Sequence, residues 1–105
     1  MRMDNHETSA LASVDDQARD EALEVLRDAH DWTATTEWWS EFDEVLTRLQ
    51  ATWDAGDGKA FRRATSDLEA LSAERANDAG KDSKTPPPPP TRDILNDTIH
   101  NIGSK

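Results

Sequence analysis

The chain of 105 residues contains no cysteine and no tyrosine, only four glycines, and five prolines that stand together at positions 86 to 90. Without cysteine there can be no disulfide, thiolate metal site, iron–sulfur cluster or thiol nucleophile. Histidine is scarce too: His6, His30 and His100 lie far apart in sequence, and no Asp-x-Asp-x-Asp-Gly loop is present to hold calcium. No serine sits in a Gly-x-Ser-x-Gly elbow, and Gly56-Asp57-Gly58 is too short and too acidic to cradle phosphate. The chain is therefore expected to be non-enzymatic, with no catalytic residue, no cofactor and no metal site. It also lacks any run approaching the 18 or so apolar residues of a membrane span, and Met1 to Glu7 lack the apolar stretch of a secretion signal. A cytoplasmic protein is expected, without membrane association.

Positive charge is missing from the first half. Residues 1–57 hold 15 acids against 4 arginines and no lysine, a net −11, whereas residues 58–105 hold 7 acids against 8 lysines and arginines, a net +1. Phosphate backbones require clustered Lys and Arg, so a nucleic-acid partner is not expected. A basic protein surface is the better electrostatic match. At 34% hydrophobic and 32% charged, the composition lies near the border of disorder, and the placement of the apolar residues decides for folding.

That placement is helical. Residues 1–10 are polar and unpatterned and are expected to fray. From Leu11 a stripe of Leu11, Val14, Ala18, Ala22, Val25, Ala29 and Trp32 recurs at steps of three and four, predicting a helix over about 11–32. Thr35 or Thr36 is placed to cap a second helix over 37–55, whose one face carries Trp38, Trp39, Phe42, Val45, Leu46, Leu49 and Trp53. Trp38 and Trp39 are about 100° apart on that helix and are not expected to share the centre of one small core. Ala55-Gly56-Asp57-Gly58 supplies a stop and a new cap, and Ala60, Phe61, Ala64, Leu68 and Leu71 continue the pattern over 58–79. The expected fold is all-α: an antiparallel helical hairpin preceded by an extra helix, together a domain over 11–80. The expected core comprises Trp38, Phe42, Leu46, Leu49, Trp53, Phe61, Leu68 and Leu71.

A proline-rich linker over 81–91 follows, in which five prolines predict a polyproline II rod of about 15 Å acting as a spacer. Thr91 is placed as the cap of a last helix over 92–102, with Ile94, Leu95, Thr98, Ile99 and Ile102 on one side and Asp93, Asn96, Asp97, His100 and Asn101 on the other. Eleven residues are too few for a helix that stands alone, so this one must pack, either on its own hairpin or on a partner. It is expected to be a docking helix, with Arg92, Leu95, Asn96, Ile99, His100 and Ile102 as partner-binding residues. Self-association is left open.

Two stretches, Trp38-Trp39-x-x-Phe42-x-x-Val45-Leu46-x-x-Leu49 with Gly56-Asp57, and Ala60-x-x-x-Ala64-x-x-x-Leu68-Glu69, resemble the CATRA-associated small proteins. The tail, Pro90-x-Arg92-x-x-x-Asn96-x-x-Ile99-His100, is similar to that family's proline-led ending, although Thr91 separates the prolines from Arg92. The resemblance covers about residues 37–102. It implies a small helical accessory or adaptor protein, encoded beside caspase-like and TPR-containing proteins of bacterial conflict systems, with any protease activity residing in the neighbour. It transfers only Arg92, Asn96, Ile99 and His100, as motif positions. The alternative of a different class is an acidic inhibitor or antitoxin-like protein that masks a basic effector surface through residues 1–57.

Overall fold

Four helices follow one another: α1 (Met3–Ala29), α2 (Thr36–Ala55), α3 (Gly58–Asn77) and α4 (Pro89–Gly103). The structure, a computed structural model, describes residues 3–77 and 83–103, with side chains from residue 16 onward. No strand occurs among the described residues, so the chain is all-α. α1 thus begins ahead of the expected start at Leu11 and ends short of Trp32; the expectations for Met1 and Arg2, for the side chains of Leu11 and Val14, and for residues 81 and 82 of the linker lie outside what the structure describes.

Local chemistry sets the helix ends. The Thr35 hydroxyl accepts from the Trp38 amide at 3.1 Å, capping α2. Gly56 ends it at φ 70°, where its N–H reaches Trp53 O (3.1 Å) and the Asp57 N–H reaches Thr52 O (3.0 Å). Asp57 then caps α3 by accepting from the Ala60 amide at 3.1 Å. One four-residue stretch thus closes one helix and opens the next, which forces α2 and α3 to lie side by side in opposite directions. Trp53 meets Phe61 near the turn, Arg48 pairs with Asp67, and the Trp38 indole donates to Leu71 O (3.0 Å) at the far end.

The helices pack in a ring. α3 lies against α2 and α1, and α4 lies against α2 and α1, leaving α1 and α2 on one diagonal. α1 runs parallel to α3, from Ala18 beside Thr65 to Trp32 beside Arg75. α4 runs parallel to α2, with Gln50 Nε2 donating to Thr98 Oγ1 (2.8 Å) and Asn101 Nδ2 to Asp54 Oδ1 (3.0 Å). Inside the ring Trp39, Phe42, Leu46, Leu49, Phe61, Leu68, Leu95 and Ile102 are buried together with Leu26 and Ala22 of α1.

Three expectations are corrected by this packing. Trp38 and Trp39 are both buried, at 7% and 1% exposure, because α2 has a neighbour on each flank: Trp38 faces α3, and Trp39 faces the segment leading into α4. The buried face of α1 is Ala18, Ala22, Leu23, Leu26 and Ala29, while Val25 is only half-buried. α4 covers the Leu23 side of α1, as the contact of Leu23 with Gly103 shows, so the face is rotated from the small-residue stripe. The prolines are divided: Pro86 to Pro88 precede α4, and Pro89 and Pro90 form its first turn, where no backbone N–H is needed and φ near −65° is already helical. The Arg92 N–H donates to Pro88 O (2.8 Å), and Thr91, expected as a cap, is buried within the helix.

Candidate interaction site

α4 folds back onto its own chain. Thr91, Leu95, Thr98 and Ile102 line its inner face and are buried, and Ile94 and Ile99 are half-buried against the core. Polar groups close the seam. Arg19 Nε donates to Ile102 O (2.9 Å), placing a cation at the negative end of α4. The His30 Nε2–H donates to Asn96 Oδ1 (2.8 Å) at the other end of the contact with α1. Upstream, Ala34 and Thr85 form an antiparallel bridge with paired N–H to carbonyl bonds of 2.9 and 2.8 Å, and the Trp39 indole donates to Thr85 O (2.9 Å).

The six residues expected to bind a partner thus separate. Leu95 and Ile102 face the interior, Ile99 lies at its edge, and Asn96 is engaged with His30. Arg92 and His100 are exposed on the outer side. The expected core residues Trp38, Phe42, Leu46, Leu49, Phe61, Leu68 and Leu71 are buried, and Trp53 is half-buried where it contacts Phe61. Sequence reasoning missed Arg19, Ala34, Gln50 and Thr85, which tie α4 and its approach to the rest. No periodicity marks such residues, because each acts through long-range hydrogen bonds.

On the far side of α2 from α4, two adjoining depressions run along the seam with α3. One, of about 430 Å³, is lined by Glu37, Trp38, Glu41, Glu74, Arg75 and Lys84. The other, of about 610 Å³, shares Glu41 and Glu74 and continues past Glu44, Val45, Asp67 and Leu71. Arg75 is occupied at one end: its guanidinium lies 4.3 Å from the centre of the Trp32 ring and donates to Thr33 O (3.3 Å). Arg48 is likewise paired with Asp67. Between α1 and α3, burial and the adjacent carboxylate of Glu21 push the Glu69 carboxyl above its usual range. Among the described residues no three His, Cys, Asp or Glu side chains are grouped to hold a metal ion, and no helix is long and apolar enough to cross a membrane.

A family model matches the sequence over residues 21–105, from within α1 through α4. The chain belongs to the CATRA-Associated Small Protein family. The family segment contains both partners of the Ala34–Thr85 bridge, both halves of the α2–α3 groove and the His30–Asn96 contact. Arg19, which reaches the end of α4, stands just ahead of it. No curated protein and no solved structure matches the chain.

Proposed function

We propose that the chain is a non-enzymatic accessory protein of a CATRA system, an adaptor that binds a protein partner in a bacterial conflict pathway containing a caspase-like or TPR-bearing effector. The observation that carries this reading is the family match across residues 21–105, whose description names association with CATRA. The helical hairpin with its extra first helix acts as the scaffold, and α4 as the element that closes it. Because Leu95 and Ile102 are occupied in the chain's own core, the partner meets α4 on its outer side, at Arg92 and His100, with Ile99 at the margin. The masking of a basic effector surface is favoured as a second reading by the acidic residues along α2, Glu37, Glu41 and Glu44.

The test is co-expression of the full chain with the CATRA-system protein encoded beside it, followed by affinity capture and size-exclusion chromatography. The two are expected to elute as one complex. Separate elution at micromolar concentrations of both would refute the adaptor role.

A further inference from the structure

We infer that the groove between α2 and α3 is the docking site for a basic, amphipathic segment of a protein partner, an inference that rests on the partner-binding role proposed above. The floor is apolar. Trp38, Val45 and Leu71 are each 7% exposed, more than any other member of the buried core, and all three line this groove. Only the edges of these buried side chains reach the groove, and a partner side chain seated between them would complete their burial. Glu37 to Arg48 span twelve residues of α2, a rise of about 16 Å, which accommodates three turns of a helix or about five residues of extended chain.

The rim selects the sign of the occupant. Glu37, Glu41, Glu44 and Glu74 have no hydrogen-bond or ion-pair partner among the described residues. The cations that line the groove are committed elsewhere or outnumbered: Arg48 pairs with Asp67, Arg75 engages Trp32 and Thr33, and Lys84, itself engaged, stands only at the Glu37 end against the four glutamates. Glu37, Glu41 and Glu44 recur at steps of four and three, the spacing at which an incoming helix presents Lys or Arg along one edge. A metal ion or a polyamine would meet the carboxylates but leave the floor uncovered. An acidic or neutral segment would cover the floor and leave the carboxylates opposed or unpaired.

The probe is a synthetic helix of about 18 residues with leucines on one face and lysines on the other, titrated into the full chain at about 150 mM salt, where the screening length is about 8 Å. A scrambled peptide of equal composition serves as its control. Binding is read from tryptophan fluorescence, to which Trp38 in the groove contributes, and by calorimetry. Glu41→Lys with Glu74→Lys is expected to weaken binding by about tenfold or more, while Asp93→Lys with Asp97→Lys, the same charge change on the outer side of α4, alters it by less than about twofold. Ala70→Trp, at an exposed position lining the groove, is expected to weaken binding with no change in charge. Circular dichroism checks each fold, and Glu41→Gln with Glu74→Gln replaces the reversal should it unfold. Equal losses from the two reversals, equal binding of the scrambled peptide, or an unaltered affinity in Ala70→Trp would each overturn the inference. The two proposals separate with the co-encoded protein: a complex that survives all groove variants removes the groove and keeps the adaptor role. A wild-type chain that binds the probe in the groove but never the co-encoded protein does the reverse.

Discussion

Ile99 and His100 are adjacent in sequence and opposite in consequence. Ile99 is half-buried against the core, so Ile99→Asp puts a carboxylate where α4 meets its neighbours. A loss of about 2 kcal/mol or more is expected in urea denaturation. His100 is exposed, so His100→Ala is expected to alter stability by less than about 0.5 kcal/mol. Any loss of partner binding in that variant would therefore report on the surface and not on the fold. Glu69 offers a test of sign. Its raised carboxyl means that the folded state holds the proton more tightly than the unfolded chain, whose value is near 4.5. The desolvation of the charged carboxylate, with the repulsion from Glu21 added to it, thus lowers stability at neutral pH, and this loss disappears as pH falls through the raised value and then below 4.5. Glu69→Gln is expected to be slightly more stable than the parent at pH 7, by a few tenths of a kcal/mol as for other exposed charge pairs. The difference should vanish near pH 4, as paired thermal melts at the two pH values would show.

Among the elements, the α2–α3 turn rests on one left-handed residue. Gly56 at φ 70° has open space where a side chain would project, so Gly56→Ala meets only the backbone cost of that conformation. The expected destabilisation is about 1 kcal/mol, read as a shift in denaturation midpoint with an unaltered slope. This turn was legible in sequence because Gly56 and Asp57 each carry a local geometric role. The face of α2 was legible for a different reason, since three tryptophans, a phenylalanine and three aliphatic residues leave little choice of side. α1 was not. Its alanines pack on either flank at similar cost, and only the arrival of α4 against Leu23 decides that Leu23 and Leu26 turn inward. The prolines were read as a uniform rod because composition alone does not say where a helix begins among identical residues. Pro89 and Pro90 enter α4 because the inner face from Thr91 to Ile102 must begin one turn earlier to be held.

For the whole molecule, α4 is structural as well as a candidate contact. It covers α1 and α2 at once and contributes Leu95 and Ile102, both fully buried, to the core. Ending the chain at residue 82 removes these together with the Trp39–Thr85 bond, and leaves the inner surfaces of α1 and α2 in water. The truncated chain is expected to lose cooperative thermal unfolding, or to associate in order to cover that surface, both readable by calorimetry with light scattering. The candidate interaction residues were half legible at this scale. Arg92 and His100 stand outward as the helical pattern implied, but the assignment of Leu95 and Ile102 to a partner or to the chain itself depended on the ring closing, which no local pattern encodes.

The bridge between Ala34 and Thr85 also bears on competition. Three residues separate Thr85 from Pro89, so α4 released from its seat would still begin within four steps, about 12 Å, of it at the rise of a proline-rich strand. So short a tether corresponds to an effective concentration in about the millimolar range. A helix from another molecule, arriving at micromolar concentration with equal intrinsic affinity, is at a disadvantage of about a thousandfold for the same seat. A ligand aiming to replace α4 must first undo the bridge, whereas one that settles elsewhere on the bundle faces no such rival.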